Sequence, residues 1–284
     1  MKFSLGPLQY CWDKPAVEAF YQAAAKSQIP LIYLGETVCS KRRKLRFGDY
    51  LALAQLLRDA GKSVVLSTLA LVESRSELAE LKKQLDNGEF LIEANDMGTV
   101  ALANQLKLPF VCGPSINNYN ITSLQKMASW GMQRFVMPVD LSKQWLATII
   151  EQQPQFEIEV LGYGYLPLAH SARCFTARHH GLNKDNCETI CANHPHGLLS
   201  QTLEHQPLLR LNGIQTQSAA CMDLRDEIPQ MEQLGVDWFR VSPDSLESVA
   251  FTEALIDGER SVSKHQLTCN GYWHDTAGMT LSHN

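Results

Sequence analysis

A (β/α)8 barrel of the α/β class is predicted for this chain of 284 residues by three observations. Short apolar segments recur along the chain with helical stretches between them. The segments are continuous apolar runs, which suit parallel strands buried on both faces. Eight such segments, spread over this length, match the strand count of a closed barrel. An open doubly wound sheet is the alternative.

The strand candidates are Lys2–Leu5, Pro30–Leu34, Ser63–Ser67, Phe90–Glu93, Pro109–Cys112, Arg134–Met137, Phe156–Leu161 and Trp238–Val241. Between the first two, Lys14–Ser27 places Val17, Phe20, Tyr21 and Ala24 on one helical face. Phe47–Ala60 ends at Gly61, a helix stop. Ser74–Leu85 opens on Ser74 with Glu77 at capping-box spacing, and Asn87-Gly88 closes it. Ser123–Ser129 and Ser142–Glu151 repeat the pattern behind a serine.

The stretch from Leu166 to Ile228 breaks the rhythm. It holds Cys174, Cys187, Cys191 and Cys221, most of the histidines and the polar run His179–Asn186. We read it as a cysteine-bearing insertion (166–228) after the seventh strand. No repeat, low-complexity tract or linker interrupts the rest, so residues 1–284 are expected to form one elaborated domain.

A hydrophobic share of 45% excludes wholesale disorder. No 18-residue apolar run occurs, so no membrane span is expected. The net charge of -5 gives no general attraction to nucleic acid. The opening MKFSLGPLQYCWDK lacks the features of a secretory signal. A cytoplasmic location is therefore expected, where cysteines serve as thiols, metal ligands or catalytic groups.

Several familiar motifs fail. Gly61-Lys62-Ser63 lacks the phosphate-loop glycine, since Leu56 stands there. Gly162 and Gly164 are followed by Pro167 where a dinucleotide fingerprint needs its third glycine. Neither HExxH nor GxSxG occurs, and no general acid or base can be named. Cys187-x3-Cys191-x2-His194 has a histidine where a radical-type iron–sulfur run needs its third cysteine.

The chain has eight cysteines. Cys11, Cys112, Cys221 and Cys269 are dispersed, and the reading for them is buried structural thiols. Cys187 and Cys191 would share one face if their segment turns helically, and Cys174 could swing in from the strand end. Converging thiolates repel unless a cation neutralises them. Cys39 follows the second strand, so in a barrel it opens on the same C-terminal face as the insertion. Distant cysteines suit an iron–sulfur cluster somewhat better than zinc, which favours tight knuckles. His170, His179, His180, His194 and His196 nevertheless offer zinc substitutes, and unliganded thiols complete the options.

Lys41, Arg42, Arg43, Lys44 and Arg46 form a basic run behind Cys39, and residues 1–62 carry ten cations against five anions. Such a run is either a solvated helix start or a positive mouth for an anionic substrate or acidic partner. Arg173, Arg178 and His170 could donate hydrogen bonds to nearby sulfurs. Asn117, Asn118, Tyr119 and Asn120 would line the C-terminal face or form a simple turn. Cys269–His274 is expected to pack over the barrel or another subunit.

GYGYLPLAHSARCFTARHHG, the Cys187-x3-Cys191 pair, LGETVCSKRRKLRFGDY and the terminal CNGYWH together resemble the collagenase-like peptidase family over essentially the whole length. The resemblance implies a barrel-like fold and a 4Fe-4S cluster, with Cys39, Cys174, Cys187 and Cys191 as its ligands. The likeness to the ubiquinone-biosynthesis branch further implies a subunit of an oxygen-independent ring hydroxylase, paired as a heterodimer with the paralogue UbiU. A lipid-binding accessory protein, UbiT, would be a further associate. Its small molecules would be the ubiquinone precursor and the dicarboxylate prephenate, the oxygen donor of related hydroxylating members. A zinc-dependent peptidase-like hydrolase and a non-catalytic, cluster-stabilised binding subunit are the alternatives.

Overall fold

A computed structural model describes residues 1–260 and 265–282. The first six strands alternate with helices. In order they are β1 (Lys2–Leu5), α1 (Lys14–Lys26), β2 (Leu31–Leu34), α2 (Phe47–Asp59), β3 (Ser63–Ser67), α3 (Arg75–Leu85), β4 (Leu91–Ala94), α4 (Met97–Leu106), β5 (Phe110–Cys112), α5 (Ile121–Ser129), β6 (Met132–Val136) and α6 (Lys143–Ile150). There follow β7 (Glu157–His170), α7 (Phe175–His179), β8 (Leu198–Gln201), β9 (Pro207–Asn212), β10 (Gln215–Asp223), α8 (Ile228–Leu234), β11 (Trp238–Val241), α9 (Ser248–Ile256) and β12 (Thr268–Cys269).

Strands β1 to β7 pair in sequence and in parallel. β11 pairs in parallel with both β7 and β1, which closes the sheet as an eight-stranded barrel. The expected barrel is thus the observed one. Its helices start where local chemistry dictates. Asp13 accepts a hydrogen bond from the Ala16 amide ahead of α1, whose Pro15 needs no donor partner in the first turn. Ser74 and Glu77 form the anticipated capping box of α3.

The barrel interior is polar at mid-height. Leu31, Val65, Leu91 and Trp238 belong to one apolar cluster inside the barrel. Ser4, Tyr33, Ser67, Glu93, Arg134, Glu159 and Arg240 meet one another there, contributed by seven different strands. Arg240 donates to Glu159 and Glu93 at 2.7 Å each. Continuous apolar runs were the expectation, and seven of the eight barrel strands each hide one such polar group, β5 (FVC) having none.

The seventh strand is longer than its predicted Phe156–Leu161. β7 runs through Gly162, Gly164 and Pro167, residues that weaken strand propensity locally. Gly162 is required by packing, because a Cβ there would stand 2.0 Å from the Phe239 ring. We predict that Gly162→Ala costs roughly 1–3 kcal/mol through overpacking, read as a lower urea midpoint at an unchanged slope. Beyond the barrel rim, β7 pairs antiparallel with β10, which carries β9 and then β8. The segment between β7 and β11 therefore extends the barrel wall upward as an antiparallel flap at its C-terminal end.

Candidate cysteine site

All four arms of the site leave the C-terminal face of the barrel. β2 leads into Glu36, whose carboxylate accepts from the Val38 and Cys39 amides at 2.8 and 3.0 Å. That clamp sets the turn presenting Cys39. Beyond β7, Cys174 caps α7, its sulfur accepting from the Ala177 amide at 3.4 Å. The Thr176 hydroxyl accepts from the Gly213 amide at 2.9 Å, tying α7 to the β9–β10 turn. Cys191 lies in a 3-10 turn at Ile190–Asn193.

The expected helical pairing of Cys187 with Cys191 does not form. Glu188 and Thr189 between them are left-handed, at φ 49° and 58°. A β-branched residue adopts that region only where its surroundings enforce it. The chain therefore reverses between the two cysteines instead of turning once.

Cys39 and Cys174 pack in one small cluster with Val38 and Ile214. The Cys174 thiol is raised by burial, with further contributions from the neighbouring Cys191 and Cys187. Burial also raises Cys39. Cys191 goes the other way and is lowered, chiefly by the neighbouring Cys11 thiol and by the Arg42 charge beside it. Cys11 itself is pushed far up by the same contact and by burial. Among the described residues, no three His, Cys, Asp or Glu side chains close on one point as a ready metal cage. The fold gathers the arms around Arg42 and Lys41.

Two participants escaped the sequence reading. Cys11, grouped there with the structural thiols, follows β1 onto the same face, and the rule applied to Cys39 would have found it. Trp12 donates to the Pro195 carbonyl at 3.0 Å and holds the Cys11 loop against the Cys191 loop. Arg42 is the other. It alone of the basic run is buried, 5% exposed. Its guanidinium donates to the Gln9 carbonyl at 2.6 Å and to Asn212 at 2.7 Å. Cys112, Cys221 and Cys269 are fully buried within the apolar core.

Of the remaining basic run, Lys41, Arg43 and Arg46 open onto a cleft of about 1800 Å³ between α2 and α3. Arg43, Arg46, Arg173 and Arg178 line it, with Cys174 and Cys187 on its rim and Leu34, Leu66 and Leu81 in its wall. Lys41–Asp185, at 2.7 Å, and Lys184–Glu73 strap the Cys187 segment across the top. Arg173 and Arg178 are exposed. Asn120 caps α5, so the asparagine run starts a helix. Trp273 is buried in the same core cluster as Met222 and Leu224 and donates to Glu227 at 3.2 Å, covering the barrel as one of the two options had it.

The donor set suits an iron–sulfur cluster. Four thiols reach one barrel face from separate segments, and the buried Nε of Arg42 lacks a partner. A buried cation with an unused N–H calls for an anion, which thiolates around a cluster supply.

The sequence profile of peptidase family U32 matches residues 13–252, most of the chain. Among solved structures, tryptophan synthase from M. tuberculosis is similar, with a TM-score of 0.50 at 14% identity over 92% of this chain and 93% of that one. Dihydropteroate synthase from Thermus thermophilus gives a TM-score of 0.41 at 13% identity over 89% of this chain and 94% of that one. At these identities the first likeness speaks for the barrel alone. With the profile spanning the barrel and the cysteine arms alike, the chain belongs to peptidase family U32.

Proposed function

We propose that this chain is the iron–sulfur subunit of an oxygen-independent hydroxylase in ubiquinone biosynthesis, acting as the family member UbiV does beside its paralogue UbiU. Cys39, Cys174, Cys187 and Cys191 would hold a 4Fe-4S cluster. The cluster would supply electrons or activate an oxygen donor. One observation supports the reading: Cys39 and Cys191 lie near the buried Arg42 guanidinium, and Cys174 lies near both Cys191 and Cys187.

The chain's own residues have definable tasks in this scheme. The Glu36 clamp orients Cys39, the α7 cap orients Cys174, and the strapped Cys187 segment closes over the cleft. Arg43, Arg46, Arg173 and Arg178 line the cleft together with Glu73, Glu77 and Glu80, and these arginines would be the groups to bind a carboxylate such as prephenate. The quinone precursor, UbiU and the lipid carrier UbiT complete the proposed assembly. Support for it comes from the sequence resemblance.

Anaerobic purification followed by iron and sulfide analysis and EPR tests the proposal. Four irons and four sulfides per chain are expected for one cubane cluster. A colourless protein with stoichiometric zinc would favour a metallohydrolase, and one with no metal would end both readings.

A further inference from the structure

We infer that Arg42 is a positioning residue that raises the reduction potential of the centre held by the four cysteines. The inference rests on the cluster proposed above and concerns a residue outside its ligand set. Of the five basic residues in the run Lys41–Arg46, only Arg42 turns inward, with its side chain 2% exposed. Taking a guanidinium out of water is costly unless charge and hydrogen bonds compensate. Its hydrogen-bond partners, the Gln9 carbonyl and the Asn212 amide, are neutral. The nearest carboxylate, Glu36, stands at 3.9 Å and is already engaged by two backbone amides. The Nε hydrogen, fully buried, has no partner. The groups that face this charge are the Glu36 carboxylate and the sulfurs of Cys191, Cys11 and Cys39.

The surroundings are shaped for that guanidinium. Gly213, at φ +68°, sits where an added Cβ would lie 2.8 Å from Arg42 Nη2. Any larger residue in the β9–β10 turn would push the cation away. Arg42 also binds the loops after β1 and β2 to that turn, so a purely structural role is the competing account.

The two accounts differ in what they do to the potential. A thiolate-ligated cluster gains one negative charge on reduction. A fixed buried cation favours the more negative state, and an N–H donated to sulfur acts in the same direction. Exposed arginines such as Arg173 and Arg178 are screened by water and salt and contribute less. A merely structural residue would alter cluster content or stability, and leave the potential of the retained cluster alone.

Three variants decide between them: Arg42→Gln, Arg42→Lys and Gly213→Ala, purified anaerobically and titrated with EPR detection. Arg42→Gln is expected to lower the midpoint enough to change the reduced-to-oxidised ratio at fixed potential at least tenfold, about 59 mV for one electron. Arg42→Lys keeps the charge and is expected to restore most of that shift. Gly213→Ala moves the guanidinium without removing it and is expected to shift the midpoint in the same direction. Should Arg42→Gln fail to retain iron, Gly213→Ala and Arg42→Lys carry the comparison. Variants with full iron and a wild-type midpoint would overturn the inference while leaving the cluster intact. A wild-type chain without iron would overturn the proposed function itself, and this inference with it.

Discussion

Arg240→Met is expected to destabilise the barrel by about 3–5 kcal/mol at neutral pH, as a buried pair does when one partner is removed. Arg240 is fully enclosed and neutralises two carboxylates at once, Glu93 and Glu159, at 2.7 Å each. Arg134 shares Glu159, with its Nη1 at 3.7 Å, and Tyr33 and Ser4 complete the shell around that carboxylate. Methionine approximates the volume, so the loss measures unpaired charge and not a cavity. Urea denaturation of both proteins at pH 7 reads it. Equal midpoints would mean that the network contributes nothing to stability. The double variant Arg240→Met/Glu159→Gln should recover part of the loss, because one of the stranded charges is gone.

The same network has a pH signature. Burial alone would raise the Glu159 carboxyl, but the Arg240 and Arg134 charges outweigh it and hold it below the ordinary glutamate range. A carboxylate depressed in the folded state contributes stability above its unfolded value, near 4.3, and loses it as pH falls further. The wild-type urea midpoint should therefore decline below about pH 4.3. Glu159→Gln should be less stable at pH 7 and decline less steeply. A parallel decline in both proteins would assign the acid sensitivity elsewhere.

How much of this was legible depends on what each residue must do locally. The barrel strands show in the sequence because each is a short apolar run, and β1, β3 and β11 match their predicted limits. The polar interior was hidden by the same fact. Glu93 and Arg240 sit inside apolar quartets, and nothing local reveals that they point at each other across the barrel. α4 went unread: its Asp96 cap is a good start signal, but Met97–Leu106 carries little polar contrast around its circumference. β8 to β10 went unread for the opposite reason. Gln215, Gln217 and Ser218 make a polar strand that is buried only because Asn212, Gln9 and the Leu166 amide bond to them over the barrel mouth. At the cysteine site, topology alone puts Cys39 and the insertion on one face. Gly213 in a distant turn leaves the room that the buried Arg42 guanidinium occupies, and a run of five basic residues holds no sign of which one folds inward.

Replacing Cys39, Cys174, Cys187 or Cys191 singly by alanine is expected to lower iron and sulfide to about a tenth of wild type or less, since loss of a thiolate opens the centre to water and oxidation. Two controls give the series its force. Cys112→Ala removes a fully buried thiol far from the site, and should cost about 1 kcal/mol of stability while leaving iron content unchanged. Cys11→Ala is the more demanding control, because this thiol lies beside Cys191 and shares the neighbourhood of Arg42. A four-ligand set without Cys11 requires that Cys11→Ala still bind its iron. Should Cys11→Ala lose iron while one of the other four keeps it, the ligand set must be redrawn around Cys11. That outcome is chemically open to the fold, since the β1 loop bearing Cys11 is pinned to the Cys191 turn through Trp12 and Pro195. Metal analysis of all six proteins, made anaerobically and in parallel, distinguishes these cases. It also separates iron from zinc, which would show the same ligand dependence with no visible absorption.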